Sequence, residues 1–143
     1  MIVARLNREK LQLLADDRLK EATVLLNNGF WTGGYYLVGL SVECALKAYL
    51  ARLVQRYDFP DKGFVNRAYT HKLKDLVQMD AVLWEELQKE FSRDDKLESN
   101  WNTALSWNDE NRYEMVDEFQ AKTLYAAATE PVSGVMDWMR RRW

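Results

Sequence analysis

His71 is the single histidine of the chain, and Arg67 stands four positions before it. Imidazole titrates near neutral pH and a guanidinium can hold a phosphate oxygen. Together they could move a proton beside an anchored phosphate. A histidine at a helix start can equally serve only to hydrogen-bond a loop, and the sequence offers His71 no evident catalytic partner. Around it, Lys62, Arg67, Lys72 and Lys74 alternate with Phe64 and Tyr69, and residues 62–74 contain no acid. Cations interleaved with aromatics can follow a phosphate backbone and stack bases. A solvated loop can have the same composition. Arg140, Arg141 and Arg142 form a second basic cluster, in a place where cations also complement the end of a helix.

A second polar constellation lies in the most apolar stretch. Between residues 35 and 54 nearly every position is apolar or small, except Glu43, Lys47 and Arg52. A helix that is apolar on most sides belongs inside a bundle. Glu43 and Lys47 are one turn apart in the order that favours pairing. Such a pair either fixes helix register or forms part of a binding site. Arg112 is the expected third member if the last helix packs on this one. Cys44, beside Glu43, reads as a small buried hydrophobe.

Other chemistries find little support. One cysteine and one histidine cannot build a usual zinc site, so no metal and no cofactor is expected. The acidic run Asp109, Glu110, Glu114, Asp117 and Glu118 lacks calcium-loop spacing and reads as the solvated start of a helix. Gly33-Gly34 lacks the lysine and spacing of a phosphate-cradling loop.

With 143 residues, 48% hydrophobic and 29% charged, the chain is expected to form a single domain over residues 1–143. The net charge of −2 excludes a generic polycation, so nucleic-acid contact would need a local patch. The single Cys44 excludes an internal disulfide, and a cytoplasmic location is the expectation. Charges within residues 1–10 argue against a signal peptide. Glu43 and Lys47 argue against a membrane span over residues 30–54.

Six glycines and two prolines favour long helices. The spacing predicts one over residues 7–28, capped by Asn7 and closed by Gly29. A second is predicted to follow at once, over about 31–57, antiparallel to the first. Gly33, Gly34 and Gly39 within it suggest close approach of another backbone. Residues 58–63 read as a loop. Further helices are predicted from about 70 and, capped by Asp80, after 80. Residues 92–111 read as a polar stretch that could pack by Trp101 and Trp107. Residues 113–142 read as helical, interrupted at Pro131, where Thr129 could cap a new helix.

Several segments together resemble a HEPN domain, a small helical family. Residues 25–31, LLNNGFW, resemble the end of its first helix. Residues 35–39, YYLVG, with 43–48, ECALKA, resemble its second. His71-Lys72-Leu73-Lys74-Asp75-Leu76 resembles the segment that follows. Arg112-Tyr113, then 126–135 and Trp138, resemble the last helix. The resemblance implies an all-α antiparallel bundle of four to six helices, often a homodimer. Family members include metal-independent RNases in toxin–antitoxin and phage-defence systems, partners of minimal nucleotidyltransferases, and binding modules without cleavage. Its RNases carry an arginine, four to six variable residues and a histidine near the start of a late helix. Here Arg112 is followed by Asp117, Glu118 and Phe119, so that pair is absent.

The expectation is therefore a non-catalytic binding protein for RNA, a nucleotide or a partner protein, with Glu43, Lys47 and Arg112 as a polar core site. Arg67, His71 and Lys72 would supply its positive edge. Two alternatives stand beside it. One is a metal-independent RNase in which Arg67 holds phosphate and His71 is the acid–base. The other is a structural interaction subunit that uses exposed aromatics such as Trp101 and Trp107.

Overall fold

The computed structural model describes residues 6–54 and 58–143, and of residues 111 and 112 the backbone alone. Among the described residues there is no strand, and eight α-helices fold around one core. They are α1 (Arg8–Asn27), α2 (Trp31–Leu53), α3 (Lys62–Ala68), α4 (Leu73–Gln78), α5 (Ala81–Phe91), α6 (Asp95–Leu105), α7 (Glu118–Thr129) and α8 (Val135–Arg140), with a 3₁₀ turn at Asp109–Tyr113. The all-helical expectation holds. The count exceeds four to six because short helices fill stretches that read as links. No described helix is long and apolar enough to cross a membrane.

α1 starts where Asn7 turns its carboxamide oxygen onto the Lys10 N–H at 2.8 Å. It ends at Asn28, followed by Gly29 at φ 79°, a left-handed value that a side chain would strain. The reversal makes α1 and α2 antiparallel. Gly34 sits against Leu26 and Ala22, while Ser41, further along α2, donates to the Ala15 carbonyl at 2.6 Å. That bond satisfies a fully buried hydroxyl, which would otherwise cost about 1–3 kcal/mol.

α2 is the axis of the fold, in contact with α1, α4, α7, α8 and the 3₁₀ turn. At 23 residues it is about 34 Å long. At Gly34 another backbone does come close, the Ala22 carbonyl of α1 lying 3.6 Å from a Cβ position, but the nearest neighbours of Gly34 and Gly39 are side chains. Gly34 faces the Leu26 side chain, and a Cβ on Gly39 would fall inside the Trp107 indole.

Trp101 and Trp107 are core residues at 0% and 2% exposure, so the stretch does pack by its indoles, and the alternative that used them as exposed contacts falls. Residues 92–105 contain α6, begun by Asp94, which accepts from the Leu97 N–H at 3.0 Å. Leu97, Trp101 and Ala104 form its buried stripe, so the segment packs as an amphipathic helix. Trp101 meets Trp138 edge-on at 5.6 Å, an arrangement worth about 0.5–1.5 kcal/mol beyond burial. Neither the Trp101 nor the Trp107 indole N–H finds an acceptor among the described residues.

The break at Pro131 is a turn, and α8 starts from Gly134 rather than from Thr129. The Thr129 hydroxyl bonds back to Tyr125 within α7. The turn is latched onto α6. Asp94 accepts from the Ser133 hydroxyl at 2.7 Å, and Glu130 accepts from the Ser133 N–H and from Lys96. The Ser133 hydroxyl, with the Leu97 N–H, holds Asp94 below its ordinary range. The Ser133 N–H chiefly does the same for Glu130, against the opposing effect of desolvation. A carboxylate depressed in the fold contributes stability above its unfolded value, near 4, and loses it as pH falls through the folded value. The thermal midpoint should therefore drop with acid below about pH 5. Asp94→Asn keeps a competent cap and should flatten that limb. An unchanged slope in a melting series would remove the latch from the account.

Candidate functional site

Glu43 is 4% exposed, on the α2 face turned toward α4. Burial of a lone carboxylate would be prohibitive without partners. Two are present. Lys47, one turn further along α2, places Nζ 3.1 Å from Oε2. His71, in the link between α3 and α4, places Nδ1 3.2 and 3.1 Å from Oε1 and Oε2. An ionised carboxylate only accepts, so Nδ1 carries the hydrogen and Nε2 is left for another partner. The His71 side chain is 56% exposed, so a ligand can reach the ring from solvent. The arrangement is a buried carboxylate that orients a surface imidazole.

Local sequence explains each position. Glu43 and Lys47 meet by helical spacing. His71 is held over them because Leu73, Leu76 and Val77 anchor α4 in the core, while α3 starts from Asp61, whose side chain accepts from the Phe64 N–H. The structure thus joins His71, which the sequence grouped with Arg67 and Lys72, to the Glu43–Lys47 pair. Arg112, the expected third member around Glu43, lies outside the residues whose side chains are described.

The two basic clusters separate clearly. Arg140 pairs with Asp16 at 2.9 Å, Arg141 with Asp137 at 3.4 Å, and Arg142 with Glu86 and Glu90 at 2.7 and 2.9 Å. Arg142 also lies 3.7 Å above the Trp138 ring. That cluster therefore staples the C-terminal end to α1 and α5. By contrast, Lys62, Arg67, Lys72 and Lys74 are exposed and form no ion pair among the described residues. Arg67 donates from Nε to the Gly63 carbonyl at 3.3 Å, which leaves its terminal nitrogens available. Asp58, Asp61 and Asp75 flank this edge and temper its potential.

Cys44 is buried, and burial, then the Glu43 charge, pushes its thiol up to about 11. It is therefore a neutral packing residue rather than a nucleophile. Tyr49 donates to Asp80 at 2.6 Å, and Asp80 also accepts from the Leu83 N–H to begin α5. Burial, then that bond, pushes the Tyr49 phenol up to about 12. This pair fixes α5 to α2.

Comparison with protein-family models, with curated proteins and with solved structures finds no match to this chain. The geometry of the Glu43–Lys47–His71 cluster and its unpaired cations carries the functional reading.

Proposed function

We propose that this chain is a HEPN-like helical protein that binds RNA without metal, at the corner formed by α2, α3 and α4. The observation that carries the reading is the juxtaposition at Glu43. A buried carboxylate holds His71 at the surface, in a segment whose exposed cations Lys62, Arg67, Lys72 and Lys74 form no ion pair among the described residues, although Asp58, Asp61 and Asp75 flank it. Phosphate oxygens are the natural counter-charge for such cations. Lys47 is committed to Glu43, so Arg67, Lys72 and their neighbours are the phosphate contacts, and His71 donates or accepts beside them. The sequence resemblance adds a homodimer, a nucleotidyltransferase-like protein partner and a toxin–antitoxin or phage-defence setting to the proposal.

The test is fluorescence anisotropy of a labelled single-stranded RNA across a salt series. Affinity should fall with salt, and Lys72→Ala should weaken binding and shallow the log–log slope by about 0.7. Salt-independent binding, or none at low salt, would contradict the proposal. Tight capture of a protein partner through this corner, without RNA, would replace it.

One observation favours a second reading. An imidazole oriented by a carboxylate through Nδ1, with Nε2 free, is the arrangement of a general base. In that case His71 would take the proton of an RNA 2′-hydroxyl as that oxygen bonds to the adjacent phosphorus and the P–O5′ bond breaks, giving a 2′,3′-cyclic phosphate and a 5′-oxygen protonated from solvent, while Arg67 holds the phosphate. Cleavage in EDTA that disappears in His71→Ala and spares DNA would establish it.

A further inference from the structure

His71 presents its two ring nitrogens to different surroundings. Nδ1 lies 3.2 and 3.1 Å from the two oxygens of the buried Glu43 carboxylate. Nε2 meets no partner among the described residues, and the side chain is 56% exposed. With Glu43 as acceptor, Nδ1 carries a hydrogen whether the ring is neutral or protonated. Gain of a proton therefore leaves the ring where it is and changes Nε2 alone. In the neutral ring Nε2 offers solvent a lone pair, and in the protonated ring it offers an N–H. The oxygens of a phosphodiester accept hydrogen bonds and donate none, so only the protonated ring can hold one. Imidazole is the one side chain whose ordinary titration falls between about pH 5 and 8.

We infer that His71 is a proton-linked phosphate contact: its ring takes up a proton as RNA binds, so that binding tightens as pH falls through the histidine range. The inference rests on the RNA-binding reading above and gives that site its regulation. The charged and titratable groups around the ring come from three elements. α2 supplies Glu43 and Lys47, with the neutral Cys44 thiol beside them. α3 supplies Arg67, and the approach to α4 and its first turn supply Lys72, Lys74 and Asp75. Glu43 is the one described carboxylate within ion-pair distance of the ring. It shares Oε2 with Lys47 at 3.1 Å, while Oε1 meets His71. The ring thus keeps an acceptor on its inner side in both states, and its outer side alone responds to the proton. A phosphate beside Nε2 stabilises the protonated ring, so proton and RNA each favour the other's binding. Cleavage would show the opposite dependence, because a general base works only in its neutral form. The direction of the pH profile therefore separates a binding role for His71 from a catalytic one.

The experiment is anisotropy of a labelled single-stranded RNA at fixed low salt, from about pH 8 to about pH 6, on wild-type protein and on His71→Gln. Wild-type affinity should rise about 10-fold over this range, the lower end for one hydrogen bond from a charged donor. His71→Gln has no proton to gain at this position, so its affinity should change little between the two ends. Asp58, Asp61 and Asp75 are present in both proteins, so the comparison cancels their contribution. A second measurement needs no variant. Titration calorimetry of the wild type in two buffers of unlike ionisation enthalpy should show uptake of a fraction of one proton per RNA bound. Wild-type binding that ignores pH, or that rises equally in His71→Gln, would overturn the proton linkage while leaving the contacts of Arg67 and Lys72 in place. Binding without proton uptake would do the same. Failure of the wild type to bind RNA at either pH would remove the RNA reading itself, and the linkage with it.

Discussion

Alanine in place of Gly39 is expected to destabilise the protein by about 2 kcal/mol or more. In an exposed helix the same change would gain about 1 kcal/mol from propensity, so its sign here reports packing. The new methyl would occupy the space of the Trp107 ring, which is 2% exposed and has no open side to retreat to. Trp107→Ala alone should cost about 3–5 kcal/mol. The two costs should not add. Once the indole is gone, Gly39→Ala meets no obstacle and recovers its helix-propensity gain, so the double variant should be no less stable than Trp107→Ala. Urea unfolding of the four proteins in the cycle measures this directly. Additive losses would mean that Gly39 serves some purpose other than receiving the indole.

Removing the Glu43 carboxylate should have an effect of similar size for a different reason. Lys47 has only 15% of its side chain exposed, and without Glu43 its charge has no described partner. Breaking a buried pair from one side costs about 3–5 kcal/mol, and the partial exposure of Lys47 places Glu43→Ala near the lower figure. Replacing both partners by apolar side chains of similar volume, Glu43→Leu with Lys47→Met, should recover most of the stability. It should not recover the imidazole. In the wild type Nδ1 lies 3.1 Å from Glu43 Oε2, and an accepting carboxylate there favours the Nδ1-protonated tautomer. In the stable double variant that bond is gone, and His71 should lose its Nδ1-protonated preference in nitrogen-15 spectra. Restored stability with an unchanged tautomer would show that something other than Glu43 orients the ring.

The sequence was most legible where spacing alone sets the geometry. Asn7 and Asp80 cap the helices expected of them, and Glu43 meets Lys47 because four residues make one turn. The core position of α2 followed from its nearly all-apolar surface. α6 was obscured because Asp95, Lys96, Glu98, Ser99, Asn100, Asn102 and Thr103 outnumber the apolar Leu97, Trp101, Ala104 and Leu105. Its stripe at 97, 101 and 104 rests largely on one indole, which a loop can also bury. Similarly, α3 begins inside a segment that reads as a turn, with Gly63 at its second position. The site was half legible. His71 and Glu43 were each singled out, but they are 28 residues apart, and no local pattern encodes a contact made by the docking of α4. The ion pairs of Arg140, Arg141 and Arg142 were hidden in part for the same reason. Asp137 is a helical neighbour, whereas Asp16, Glu86 and Glu90 arrive from α1 and α5.

The α2–α3–α4 corner is proposed to hold RNA through phosphate contacts and to leave it intact. The most direct measurement is a single sample of wild-type protein and labelled single-stranded RNA at low salt in EDTA, read first by anisotropy and then on a denaturing gel. The account predicts RNA that is bound and full length, with binding weakened when Arg67 and Lys72 are both changed to alanine. Free RNA would contradict the assignment of the corner. Shortened RNA whose cleavage depends on His71 would show that the carboxylate-oriented imidazole is catalytic and that the protein is a ribonuclease.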